Sequence, residues 1–297
     1  RFDWSKRTGS WLQARMSESQ YWPGSPLSGW DMPSLPALTA LEETDVKVPK
    51  NALLLRIYQK VKGELRKGMK GSLVYEHLFV DEAQDLSPMQ LRMLNRRSLN
   101  GSMTIVGDIA QSTGAWAHAS WDEVLEHLPD RRPPRREELT IGYRLPRPNM
   151  APAAQGLRLA PPDLNPPASV PHPGGEPRFV AAEPGRLGRA VVEQALLERD
   201  AVDPGSVAVI VPDSALSAVV EAFEAAGGEF GRAVRRGLHQ PITIVPVSLV
   251  KGLELDASVV VEPAAILEEE VQGARALYVA LTRATKRLVL VHERPLP

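Results

Sequence analysis

Apolar positions along this chain follow two rhythms. Between Asn51 and Leu65, the residues Leu54, Ile57, Tyr58, Val61 and Leu65 recur three or four apart, which predicts an amphipathic helix. The stretch KGMKGS (67–72) closes it. Beyond it come short unbroken apolar runs. HLFVDE (77–82) and SMTIVGD (102–108) each predict a buried strand ending in acid. Between them, SPMQLRML (87–94) predicts a helix with Ser87 as N-cap and Pro88 at the first helical position. SWDEVLEHL (120–128) predicts another, capped by Ser120. Residues 1–50 have no period; Trp4, Trp11, Trp22 and Trp30 are scattered among Pro, Gly and Ser.

The later chain alternates. Apolar runs ELTIGY (138–143), RFVAA (178–182), VAVIV (207–211), ITIVPVS (242–248), SVVVEP (258–263) and RLVLVH (287–292) alternate with helical patterns over 186–199, 214–226 and 272–282. Strands alternating with helices predict an α/β fold whose parallel sheet is covered on both faces. PDRRPPRREE (129–138) has the composition of a hinge and its charges those of a solvated run, while the Pro-rich 160–177 reads as a surface connector. The predicted domains are 1–137 and 138–297.

Composition narrows the classes. The chain has 297 residues, 43% of them hydrophobic and 24% charged, which is globular and long enough for two domains. A net charge of −1 does not indicate a strongly basic nucleic-acid module. Without cysteine there are no disulfides and no thiolate metal sites. No apolar run is long enough to span a membrane, and RFDWSKRTGSW is no signal peptide and lacks an initiator Met. The expectation is a soluble, cytoplasmic chain that is a fragment or a processed product.

Candidate chemistry sits where strands end in acid. Ligands of open parallel sheets lie beyond the carboxyl ends of the strands. Asp81 and Glu82 end one predicted strand and Asp108 the next, and Asp85 follows close behind. One such carboxylate can hold Mg²⁺ while its neighbour orients an attacking water. A lone acidic pair can equally be a solvated loop after a strand.

DEAQD (81–85) is not alone. It resembles the Walker B box of the UvrD/Rep-like branch of superfamily 1 helicases, and the resemblance continues in that family's order. VGDIAQS (106–112) looks like motif III, GYR (142–144) like the motif with a Tyr-Arg pair, VSLVKGLELD (247–256) like motif V and RALYVALTRA (275–284) like motif VI. The resemblance implies two RecA-like domains, the first incomplete, with ATP and Mg²⁺ in the cleft between them. Asp81 would hold Mg²⁺, Glu82 would activate water and Gln111 would sense the γ-phosphate. Tyr143 would stack on the base and Arg144 would reach the γ-phosphate. Glu254 would contact the ribose beside Gly252, whose lack of a side chain allows close backbone approach. Arg283 would be the second arginine finger. Read singly, Arg283 could be a surface residue on a helix and Tyr143 a core residue.

The chain also departs from that family. None of its 22 glycines is followed by Lys, so the phosphate loop G-x-x-x-x-G-K-[ST] is missing. An upstream part of the same protein would supply it, and this chain alone is expected to bind ATP weakly and to be inactive. Asp81, Glu82 and Asp85 would then be relieved by solvent and local hydrogen bonds, because their positive partners, the metal and the lysine of the missing loop, lie mostly outside the chain. In motif III, Gly114 replaces an aromatic and Ala117 an arginine; Trp116 remains, as a stacking platform for single-stranded DNA or RNA or as a core or interface aromatic. Motif V has Ser248 where His is common, and 160–240 leaves no room for an inserted domain. VDEAQDLSPMQLRML, VGDIAQSTGAW and VPVSLVKGLELD resemble the HelD-type ATPases of bacteria, which implies RNA polymerase as partner and its release from nucleic acid as function. The alternatives are a DNA helicase or translocase of the same superfamily and a non-catalytic interaction module of the same fold.

Overall fold

The computed structural model describes residues 75–128, 133–160, 164, 166–170, 175–227, 229–233 and 240–297. The expected helix over 51–65, the four early tryptophans and part of the hinge lie outside these. Two compact units emerge. One takes in the described residues up to Asp81, Leu86–Ile105 and those from Val124 to Leu128; the other takes in Glu82–Asp85, Val106–Glu123 and the described residues from Pro133 on.

In the first unit, β1 (Leu78–Val80) pairs in parallel with β2 (Met103–Ile105). Both strands were expected to be buried. Val80 is, but Phe79 is 65% exposed and β2 is half-buried. Successive strand residues point to opposite faces, and only the face carrying Val80 is covered. Between the strands, α1 (Pro88–Asn95) starts as expected. Ser87 Oγ accepts from Gln90 N at 3.3 Å and Gln90 Oε1 accepts from Ser87 N at 2.8 Å, a capping box. Leu91 and Met93 are its buried residues. After β2 comes α2 (Trp121–Glu126), whose first three residues count with the second unit and whose last three with the first; Glu123 N is directed at Ser120 Oγ.

The second unit adds β3 (Ile141–Gly142), α3 (Arg147–Leu157), β4 (Ala168–Ser169), β5 (Arg178–Ala181), α4 (Leu187–Val202) and β6 (Val207–Val211). It continues with α5 (Asp213–Ala225), β7 (Gly231–Arg232), β8 (Ile242–Pro246), β9 (Leu255–Val261), α6 (Pro263–Glu269), α7 (Gly273–Leu281) and β10 (Ala284–His292). Six strands form one parallel sheet in the order β5-β10-β9-β6-β8-β7. Its strands feed two cores in alternation. Val207, Val209 and Val211 face one with α4 and α5, whereas Ala208 and Ile210 face the other with α3 and α7. The fold is α/β with parallel sheets, in line with the expected pair of RecA-like domains. No described helix is long and apolar enough to cross a membrane.

Three readings change. The expected strand ELTIGY shrinks to Ile141–Gly142, paired among the described residues only with Ala168–Ser169, and Leu139 stays exposed. That partner strand, β4, arises within the stretch read as a surface connector. Most importantly, α3 was not foreseen, because RPNMAPAAQGL holds three features that argue against a helix. Pro148 falls in the first turn, where no N–H is needed, and Pro152 interrupts the interior. Gly156 brings the helix against α7: a Cβ there would lie 3.4 Å from Leu277 Cδ2. Burial of Ala153, Gly156 and Leu157 against that neighbour outweighs poor intrinsic propensity.

Candidate active site

Asp81 and Glu82 follow β1 and both carboxylates are exposed. Glu82 takes a left-handed φ of 52°, unusual for a side chain with a Cβ and a conformation that costs about 1–2 kcal/mol. The next turn explains what holds it. Gln84 is fully buried, its Nε2 donates to Glu82 Oε2 at 2.6 Å, and its Oε1 accepts from Asp108 N at 3.1 Å. Its backbone carbonyl accepts from Ser112 Oγ at 3.0 Å. One amide thus ties the first acidic loop to the second. Gly107 is required there, because a Cβ would stand 2.2 Å from Gln84 Oε1.

Asp85 overturns an expectation. Its positive partner lies in this chain: Lys251 Nζ donates to Asp85 Oδ1 at 2.6 Å and to the Gln111 carbonyl at 2.5 Å. The two residues are 166 positions apart, so local pattern carries no trace of the pair. Burial lifts the Asp85 carboxyl above its ordinary range, against the pull of Lys251.

Asp108 caps the turn that carries Gln111. Its Oδ1 accepts from Ala110 N at 2.9 Å and its Oδ2 from Gln111 Nε2 at 2.8 Å. The other end of that amide, Gln111 Oε1, accepts from Arg283 Nη2 at 3.1 Å. Arg283 lies between α7 and β10 and is only 5% exposed, so it is no surface residue. Its Nε donates to the Val279 carbonyl at 3.0 Å and its Nη1 to the Leu253 carbonyl at 3.5 Å. Desolvation first, then repulsion from Arg144, pushes its pKa down. The guanidinium stays charged in any case. Tyr278, buried one turn earlier, has its hydroxyl pushed up to about 12 by burial and by Asp108.

Arg144 and Glu254 form an exposed ion pair at 2.6 Å. Tyr143 is 74% exposed, so it is not a core residue and its ring is open to a partner. Gly252 needs its freedom for another reason than crowding: φ is 76° and nothing stands near where a Cβ would be. Trp116 is half-buried in a loop whose two ends Arg275 holds.

Gln84, Lys251 and Arg275 were not foreseen from the sequence, although they lie within DEAQD, VSLVKGLELD and RALYVALTRA. Arg275 had a usable signal, being the one charge in the otherwise uncharged window GARALYVAL (273–281). Glu82, Asp85, Asp108, Gln111, Arg144, Glu254 and Arg283 fall within one unit; Glu82 and Asp108 come just after the carboxyl ends of β1 and β2, as expected, whereas Glu254 and Arg283 stand just before the amino ends of β9 and β10. Asp81 and Glu82 offer the hard oxygen donors that Mg²⁺ takes, one or two carboxylates being its usual protein share beside phosphate oxygens. Among the described residues no group of three or more His, Asp or Glu is arranged to hold a metal by itself.

Comparison with known proteins adds two sequence matches. Residues 49–130 match the UvrD/REP helicase N-terminal domain, and residues 241–291 match the UvrD-like helicase C-terminal domain. No curated protein matches the chain. Among solved structures, the C-terminal domain of a possible DNA helicase from Lactobacillus plantarum WCFS1 shares 22% identity, covering 51% of this chain and 87% of that one at a TM-score of 0.39. Arterivirus nonstructural protein 10, a helicase solved with DNA, shares 20% identity over 39% of this chain and 28% of its own, at 0.29. The Sulfolobus solfataricus SWI2/SNF2 ATPase core in complex with dsDNA shares 15% over 40% and 28%, at 0.33. This chain therefore spans under a third of the last two. It carries UvrD-like helicase signatures in both halves, one of the N-terminal and one of the C-terminal domain type.

Proposed function

We propose that this chain is the C-terminal motor portion of a superfamily 1 helicase-type ATPase, with its domains divided near 137–138. The observation that carries this reading is the contact between buried Arg283 and Gln111, in one unit with Glu82. Hydrolysis of ATP spreads negative charge over the transferred phosphoryl oxygens, and a preorganised guanidinium stabilises it. In this reading Arg283 and Arg144 meet the γ-phosphate, and Gln111 orients the attacking water. Glu82, steered by Gln84, takes that water's proton. Tyr143 stacks on the base, Glu254 contacts the ribose and Gly252 shapes the turn beside it. Asp81 would hold Mg²⁺, which when bound would neutralise phosphate charge. An upstream part of the protein supplies the phosphate loop.

The finer reading is remodelling of RNA polymerase, with release from nucleic acid, rather than duplex unwinding. Gly114 and Ala117 favour it, since they remove an aromatic and a cation from the loop that would grip a single strand. The test is ATP hydrolysis by the intact protein beside its Glu82→Gln variant, with strand displacement measured in parallel. Hydrolysis that collapses in the variant, without unwinding, is the expected outcome. Robust unwinding moves the reading to a helicase or translocase; no hydrolysis by the intact protein moves it to an interaction module.

A further inference from the structure

Arg275 is 3% exposed, and its Nη1 donates to two carbonyls of one loop, Ser112 at 3.4 Å and His118 at 3.0 Å. A terminal guanidinium nitrogen carries two N–H groups, one for each acceptor. Between those carbonyls run Thr113–Ala117, turned by the bond from Ala117 N to the Gly114 carbonyl at 3.1 Å. Gly114 lies in open space and Trp116 is half-buried. One side chain therefore closes the Trp116 loop from outside. Arg275 belongs to α7, in which every residue from Arg275 to Leu281 is buried, and Arg283 just beyond it holds the Gln111 side chain. A packed helix of this kind moves as a body.

The desolvation that lowers the Arg275 pKa is a cost, and its Nε finds no partner. An apolar side chain would fill the place more cheaply. What the guanidinium adds is the pair of loop carbonyls. We infer that Arg275 is a positioning residue, which fixes the Trp116 loop in register with the Gln111–Arg283 contact through α7. A base of a single-stranded nucleic acid at Trp116 and a nucleotide phosphate at Arg283 then bear on one rigid element. This coupling rests on the ATPase reading; the closure of the loop does not.

Two measurements separate the parts. The first is amide hydrogen exchange on the full chain, unsubstituted and with Arg275→Met or Arg275→Lys. Loss of two charge-assisted bonds in Arg275→Met speeds exchange at residues 113–118 by about tenfold or more, while β9 and β10 keep their protection. Arg275→Lys, whose ammonium can donate twice, recovers part of it. If Arg275→Met does not fold, Arg275→Gln gives the same comparison. Unchanged exchange at 113–118 in a folded variant overturns the loop closure. The second is ATP hydrolysis by the intact parent with single-stranded DNA. Arg275→Met raises the DNA concentration for half-maximal stimulation about tenfold, while KM for ATP stays within about twofold. No shift in the DNA requirement, or an equal rise in both constants, overturns the coupling. A parent that hydrolyses no ATP overturns the functional reading instead, and the exchange result still decides the loop.

Discussion

Two places in the larger unit bury charge, and they do so in opposite ways. On α4, Glu198 is 0% exposed and gripped by two cations: Arg178 Nη2 reaches it at 2.5 Å and Arg287 Nε at 2.5 Å. On α7 and just past its end, Arg275 and Arg283 are nearly as buried but take only carbonyls, an amide and a hydroxyl as acceptors. Neither takes part in any of the ion pairs among the described residues. The first cluster is neutralised internally and holds a sheet edge to its covering helix. The second keeps its positive charge uncompensated by direct contact, the condition in which a guanidinium serves an arriving anion.

The contrast can be broken by experiment. Replacing Arg283 by Met in the intact protein should lower kcat for ATP hydrolysis by about 10³-fold and leave the unfolding transition near its original place. A loss of stability without a kinetic effect would make Arg283 a second Glu198. The converse substitution, Glu198→Gln, leaves two partly buried arginines without their anion and should cost about 3–5 kcal/mol in urea unfolding. Its kcat per folded molecule should be unchanged.

Lys251→Met tests the bridge between the two loops and should cost about 1–2 kcal/mol near neutral pH. Burial already holds the Asp85 pKa above 3.8, and Lys251 is what pulls it back down. An acid with a raised folded pKa contributes stability below its unfolded value and loses it as pH rises through the folded value. Removing the lysine lifts that pKa further, so the deficit should be largest near pH 7 and shrink towards about pH 4. A deficit independent of pH would mean that the ammonium acts only through the Gln111 carbonyl.

Legibility in the sequence followed the range of the interactions. VAVIV and RLVLVH were readable because a strand covered on both faces is a continuous apolar run. The helix after Ser87 was readable because its cap and Pro88 are local signals. Helix α3 could not be read, since its prolines speak against a helix and only packing on α7 answers them. Singly, Arg283 and Tyr143 invited the opposite of what they do: the arginine is buried and the tyrosine exposed. Their places in ordered motifs suggested sites, but burial depends on residues far along the chain. The Lys251–Asp85 bridge marks the limit, since no periodicity links two positions so distant in the chain.

One feature of α7 reaches beyond its chemistry. A helix with no solvent face has nowhere to accept a harmless substitution. Most exposed helices can drift on their outer side while the inner side stays constant; here both sides are constrained at once. The tip at Gly114 is the opposite case, since nothing stands within 4 Å of where a Cβ would be. A substitution anywhere between Arg275 and Leu281 meets packed neighbours, and it reaches the Trp116 loop at one end and the Gln111 contact at the other.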